Sequence, residues 1–455
     1  MSYVILIPGI LCIIALIRGN TQRVFLDLFI PVMMLFPLSY VLKIPHFPSL
    51  DFLTALTLPL GIAMFFGDFS RWKISRTDIW IALFIFTAIY VDYKAGRTID
   101  AIFVLFSHFT GVIVPYMAGK LLVERPGNRI ATIRGYVTLL AFVSVFMMLE
   151  FFTKINVFRV LWNKFFPEQW WVLILQIRNG FGRAKGPYAQ SEHAGNILFI
   201  GLTFAVWLLS QRYRKPGGKI IPVVSPAKGK AMVVLLATAL YMTLSRGPWI
   251  GAIVSLSIAS IGKAKRPKKR AVIVFALALL IGLPAYVAGK NYVSGPRADY
   301  GSEQETAQYR ALLIDNYVPI AKLGGAWGWA YGFPVISGQT SIDNEYLFIW
   351  VTQGYVGLTA LILIFVETTI LLIRLGIKAR SQPDRYFVFS VLGVFLGLAV
   401  TLGTVYLDFQ PRVIFFLLVG WSQAIRLSNK NDRDEEAPVM IQQHAAETAL
   451  IRVYT

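Results

Sequence analysis

Apolar runs long enough, or nearly long enough, to cross a hydrocarbon core about 30 Å thick recur along this chain from Tyr3 to Leu427. They read as transmembrane helices near residues 3–17, 24–42, 51–67, 79–91, 101–118, 135–152, 193–210, 231–245, 249–261, 271–289, 345–373, 386–405 and 413–427, with Pro31, Pro37 and Pro59 interrupting the early ones. Composition agrees, since 56% hydrophobic residues against 15% charged ones do not describe a soluble domain. The chain turns polar quickly between runs, so the expected architecture is all-α and polytopic. It has about 12–13 transmembrane helices in a single membrane domain, 1–427, followed by a polar cytoplasmic tail, 428–455. The N-terminus lacks the basic region and small-residue cleavage site of a removable signal.

Lysine and arginine set the orientation. The segments 211–230 and 262–270 each carry six basic residues and no acid, which predicts that both are cytoplasmic. The segment 290–345 holds Lys290, Arg297, Arg310 and Lys322 against Asp299, Glu303, Glu305, Asp315, Asp343 and Glu345, and is expected outside, with 290–344 forming the one large extracytoplasmic loop. The net charge of +20 is then mostly topology, and it gives no support to a nucleic-acid partner.

One segment disobeys. Counting back across a single span puts 153–192 outside, yet it holds Lys154, Arg159, Lys164, Arg178, Arg183 and Lys185. Residues 157–177, rich in aromatics, read as an amphipathic helix lying in the interface. Arg183 and Lys185 follow in a glycine-rich turn and suit an anionic lipid-linked substrate, or alternatively lipid headgroups.

A second informative stretch is LSRGPWIG, Leu244 to Gly251. Both flanking loops are basic, so 231–261 must be a hairpin, expected to turn outward at Arg246-Gly247-Pro248. Its arms are short for a full crossing, which sets Arg246 in a recess. There the arginine either meets a phosphate or carboxylate, or snorkels to the headgroups.

These residues resemble the O-antigen ligase and O-antigen polymerase superfamily. LSRGPWIG is similar to its Ser-Arg-Gly-x-Trp turn, which carries the family arginine onto Arg246. GRAKGPYAQSEHAG, Gly182 to Gly195, is similar to the segment carrying a second arginine, here Arg183, and AQYRALLIDNYVPIAKLGGAWGWAYG places a third at Arg310. Asp343-Asn344, nine residues, then Gly354-Tyr355-Val356-Gly357 resembles the ligase pattern His-Asn, nine residues, Gly-x-x-Gly, with Asp343 where ligases keep histidine. Glu192-His193 replaces the usual Pro-Asn. The resemblance covers about 178–375. It implies a GT-C-like membrane glycosyltransferase at the outer face of a bacterial inner membrane, polymerising or ligating undecaprenyl-pyrophosphate-linked O-antigen or exopolysaccharide. The implied partners are the lipid-linked donor, a glycan acceptor, the bilayer, and a chain-length regulator and flippase of the same pathway; no cofactor or metal is implied.

Such transfer needs a base for the acceptor hydroxyl and cations for the departing pyrophosphate, which is already a good leaving group. Asp343 is the candidate base, with Glu345 as substitute and His193 and Asn344 as reserve base or acceptor contacts; Arg183, Lys185, Arg246 and Arg310 are the candidate cations. The competing reading of Ser341, Asp343, Asn344 and Glu345 is a helix start rich in caps. Gly354 and Gly357 read as packing positions.

Other chemistries find little support. No GxxxxGK[ST] loop is present. Asp432-Arg433-Asp434 sits in a polar tail, Cys12 is the single cysteine, and His46, His108, His193 and His444 lack metal-ligand spacing. A flippase or a non-catalytic subunit of an envelope complex remains the alternative, though no internal repeat of the transporter kind is visible.

Overall fold

The computed structural model describes residues 2–178, 180–214, 220–293, 302–339 and 341–427. The expected tail, with Asp432, Arg433, Asp434 and His444, lies outside the described residues, as do Arg297 and Asp299. In chain order the helices are α1 (Ile7–Arg18), α2 (Thr21–Val24), α3 (Ile30–Leu35), α4 (Phe52–Gly67), α5 (Arg76–Lys94), α6 (Thr98–His108), α7 (Val114–Leu121), α8 (Asn128–Thr153) and α9 (Val157–Trp162). They continue with α10 (Ser191–Leu209), α11 (Pro226–Met242), α12 (Arg246–Lys263), α13 (Pro267–Val293), α14 (Ser302–Leu323), α15 (Glu345–Lys378), α16 (Gln382–Thr401) and α17 (Phe409–Ala424). Two small antiparallel hairpins interrupt them: β1 (Ile177–Arg178) with β2 (Phe181–Gly182), and β3 (Arg212–Arg214) with β4 (Ile220–Pro222).

Among the described residues, 6 helical stretches are long and apolar enough to cross a membrane by length and composition: Thr98–Leu121, Asn128–Thr153, Ser191–Leu209, Pro267–Val293, Glu345–Lys378 and Gln382–Thr401. Shorter apolar helices run Ser2–Arg18 and Phe52–Gly67. The fold is that of an all-α polytopic membrane protein. Where the sequence predicts a span at 24–42, α3 stops at Leu35, because Phe36 precedes Pro37 and is pushed into extended backbone (φ −102, ψ 135).

The centre of the bundle is α10, whose apolar window is 83% buried inside the protein. It packs against α8, α11, α12 and α16. Helices α12 and α16 approach closely at Gly251 and Gly397, where a Cβ on Gly397 would meet the Gly251 carbonyl at 2.6 Å. Small residues that admit this approach gain packing where lipid offers no hydrophobic drive between helices. In contrast, α13 has no buried residue.

Three further sequence expectations change. The hairpin of α11 and α12 turns at Thr243–Ser245, not at Arg246–Pro248, because Pro248 is tolerated in the first turn of α12. Residues 157–177 are not one amphipathic helix: α9 ends at Trp162, Pro167 opens a short 3₁₀ turn, and Trp170 and Trp171 stand exposed. Gly354 is more than a packing glycine, since α15 breaks there (φ 68, ψ −163). The glycine-rich segment after α14 fills the break: Tyr355 N–H donates to Gly325 O (3.2 Å), Val356 N–H to Ala326 O (3.0 Å) and Trp329 N–H to Val351 O (2.9 Å). Backbone groups freed by the break are thereby paired, which a buried helix requires.

Candidate active site

The loops after α8, α11, α14 and α16 meet at one end of the bundle, and hydrogen bonds to backbone carbonyls lock them together. Arg178 Nη1 donates to Leu244 O (2.9 Å), Ala184 N–H to Met242 O (3.1 Å) and Arg183 Nε to Thr243 O (3.4 Å), so the β1–β2 hairpin is clamped on the α11–α12 turn. Across the site, Tyr309 on α14 donates its hydroxyl to Ser341 O (2.8 Å) and Tyr317 to Gln339 O (2.9 Å). A small core of Leu313, Tyr317, Ala321, Ile342, Leu347 and Val351 packs α14 onto the start of α15.

Between these two halves lies a cavity of about 440 Å³. Arg178, Arg183, Arg246, Arg310, Asp343 and Glu192 line it, with Gln176, Gln190, Ser245, Thr404 and Tyr406. Four arginines thus face two carboxylates, and burial among the other arginines holds the Arg178 guanidinium below its ordinary pKa. The first turn of α12, Arg246 to Pro248, also opens on the cavity, adding the positive end of a helix.

The arginines differ in what they already hold. Arg183 is buried and committed: Nη1 donates to Gln176 Oε1 (2.5 Å), and Nη2 to Glu192 Oε1 (2.5 Å) and Ser245 Oγ (2.9 Å). Arg310 has a buried Nε without a protein partner. The Tyr406 phenol, accepting from Gln190 Nε2 at 3.2 Å, is pushed up to about 12 by burial and so stays a donor at neutral pH.

Asp343 lines the cavity, and Ser341 Oγ donates to its Oδ1 at 2.6 Å. The cap of α15 is the next residue, Asn344, whose side chain accepts the Leu347 N–H at 3.0 Å. The helix-start reading therefore applies to Asn344, which does not line the cavity. Three other candidates also lie elsewhere. Glu345 is buried and accepts the Leu407 N–H at 2.7 Å while its own N–H donates to Leu402 O, which makes it a tie for the α16–α17 loop. His193 is fully buried, with its ring against Tyr406 and Phe409. Lys185 directs Nζ to the carbonyls of Ile174 (2.9 Å) and Ala189 (3.1 Å), and burial lowers its pKa to about 8.

Residues 231–362 match a family model described as O-Antigen ligase. The match supports membership of the O-antigen ligase and polymerase superfamily. It contains Arg246, Arg310 and Asp343, whereas Arg178, Arg183 and Glu192 of the same cavity fall outside the matched stretch. Over those residues the chain is similar to membrane enzymes of the O-antigen ligase and polymerase type. No curated protein matches the chain.

Arg178, Glu192 and Tyr406 are cavity residues to which the sequence assigns no role. Arg178 carried one signal, as a cation in the segment that breaks the charge rule; Tyr406 carried none. Among the described residues no group of three or more His, Cys, Asp or Glu side chains is placed to hold a metal ion.

Proposed function

We propose that this protein is a glycosyltransferase of a bacterial inner membrane. In this reading it polymerises or ligates undecaprenyl-pyrophosphate-linked oligosaccharide at the extracytoplasmic face, without a metal cofactor. The observation that carries the reading is the single cavity lined by Arg178, Arg183, Arg246, Arg310 and Asp343, at one end of a membrane bundle.

Asp343 takes the proton of an acceptor hydroxyl, and that oxygen attacks the anomeric carbon of the donor sugar. The bond from that carbon to the pyrophosphate oxygen breaks, and its electron pair leaves with the lipid pyrophosphate. Arg246 and Arg310 receive the growing charge, helped by Arg178 and the α12 N-terminus. Arg183, saturated by protein partners, orders the wall by holding Gln176, Glu192 and Ser245 in place.

The test is glycan synthesis from purified lipid-linked donor by the full-length protein, without ATP or added metal. Longer lipid-linked chains identify a polymerase, and transfer to a second acceptor a ligase. Absence of any transfer, with the protein folded and the native donor supplied, sinks the reading. A reporter inserted near Ser302 that reads cytoplasmic contradicts the assigned face.

A further inference from the structure

A second cavity, about 320 Å³, lies beyond the α16–α17 loop from the first. Thr404, Val405 and Tyr406 line the first cavity, while Asp408 and Phe409 line the second. The buried ring of His193 stands behind both, 5.6 Å from Tyr406 and 6.0 Å from Phe409 between centroids. The segment from Thr404 to Phe409 thus lines the first cavity at one end and the second at the other, and Glu345 holds it through Leu407.

Nothing in the proposed transfer so far uses the groups of this second cavity. Its charged side chains are Asp51, Asp408 and Arg412, and Phe103 and Phe106 supply apolar faces. Asp51 is the cap of α4, its Oδ1 accepting the Leu53 and Thr54 N–H groups (both 2.8 Å) and its Oδ2 the Thr54 hydroxyl (2.8 Å), while Asp408 Oδ1 accepts, among the described residues, one backbone N–H, that of Phe409 (2.8 Å). Arg412 Nη2 donates to Ser107 Oγ (3.2 Å), its guanidinium faces Asp408 (3.7 Å), and its buried Nε has no protein partner. Gly111, inside a π-turn at Phe109–Ile113, leaves room for it, since a Cβ there would come within 3.1 Å of Nε. Single π-turns inside helices are rare and concentrate at functional sites.

The chemistry of this lining selects its occupant. Two carboxylates against one arginine disfavour a pyrophosphate, which the four arginines next door already suit. The Asp408 carboxylate that can accept from a hydroxyl, an arginine that donates, and phenyl rings that pack on C–H faces together suit an uncharged, hydroxyl-rich ring. The volume sits at the small end of ligand cavities, roughly 300–1,000 Å³. We propose that the cavity of Asp51, Asp408 and Arg412 is the subsite for a sugar of the accepting glycan, beside the arginine-lined donor cavity. This rests on the transferase reading above.

The test uses full-length protein in lipid nanodiscs and two probes: the repeat-unit oligosaccharide released from its lipid pyrophosphate by mild acid, and inorganic pyrophosphate. Arg412→Gln removes the donor, and Ser49→Trp plugs the mouth from an exposed loop position that lines the cavity. Both are expected to weaken oligosaccharide binding roughly tenfold or more and leave pyrophosphate binding unchanged, with the opposite pattern in Arg246→Ala. Should Arg412→Gln fail to fold, Ser49→Trp decides. Wild-type oligosaccharide affinity in Ser49→Trp, or none in the wild type, overturns the sugar subsite even where glycan is still made. A wild-type protein that binds the oligosaccharide, with binding lost in Ser49→Trp, yet itself makes no glycan from lipid-linked donor keeps the sugar site and overturns the transferase reading instead.

Discussion

Asp343 and Asn344 are neighbours with separate work: the Asn344 side chain caps α15, and the Asp343 carboxylate faces the arginine-lined cavity. Asp343→Asn therefore leaves the cap intact and should change stability by less than about 1 kcal/mol. Loss of the proton acceptor should lower transfer roughly a hundredfold or more, read as glycan formed per minute from purified donor. Asp343→His is expected to keep part of the activity, since imidazole also accepts a proton. An Asp343→Asn enzyme at the wild-type rate excludes it as the base.

Arg246 and Arg183 should fail differently. Arg246→Lys keeps a charge but loses the planar fork, so activity should fall without loss of thermal stability. Arg183→Gln instead strands Glu192, and breaking so buried a pair should cost roughly 3 kcal/mol. Adding Glu192→Gln is expected to recover much of that stability, measured by thermal unfolding, while leaving activity low.

Glu345 separates a base from a tie. As acceptor for Leu407 N–H it is replaceable by an amide, so Glu345→Gln should keep most of the activity. Glu345→Leu leaves that N–H unpaired and should cost roughly 1–3 kcal/mol, with cavity residues Thr404 to Tyr406 displaced. Abolished transfer in a stable Glu345→Gln protein would return Glu345 to the catalytic set.

Lys185 gives a pH signature. Its folded pKa is lowered from 10.5 to about 8 by burial, so between those values the unfolded chain binds more protons than the folded one. Unfolding free energy contributed by this group accordingly rises with pH across that window. The wild type should gain thermal stability over Lys185→Met as pH goes from 8 towards 10.5; a constant difference contradicts the assignment.

Gly354→Ala should be costly. Its backbone lies where only glycine is at ease, and a Cβ would meet the Ala326 carbonyl at 2.4 Å. A loss of roughly 3 kcal/mol or failure to accumulate is expected. Gly282→Ala, where the added Cβ meets nothing, is the control and should be silent.

What could be read beforehand was what lipid makes expensive. An arginine at the end of an apolar run stands out against its surroundings, and Arg183, Arg246, Arg310 and Asp343 do line one cavity. What could not be read depends on partners far along the chain. Glu345 looked like a second carboxylate at a helix start until Leu407 appeared beside it. Gly354 looked like any small residue in a packed helix, because its unusual backbone is set by the approach of Gly325 and Ala326. The segment 157–177 departs from one helix for a local reason: its aromatics favour an interfacial face, but α9 closes at Trp162 and Pro167, which has no backbone N–H to give a continuing helix, opens a separate 3₁₀ turn.

The splice between the glycine-rich segment and the broken α15 also bears on the cavity mechanically. Arg178, Arg183 and Arg246 hang from turns bonded to one another, and Asp343 from a span whose backbone is stitched to the root of the preceding loop. Those walls are masonry. Arg310 rides on α14 between Tyr309, whose hydroxyl is bonded to Ser341 O, and Leu313, part of the small core that packs α14 onto the start of α15. A bulky donor entering the cavity thus meets cations whose backbones are already set, so little of its binding energy goes into ordering them.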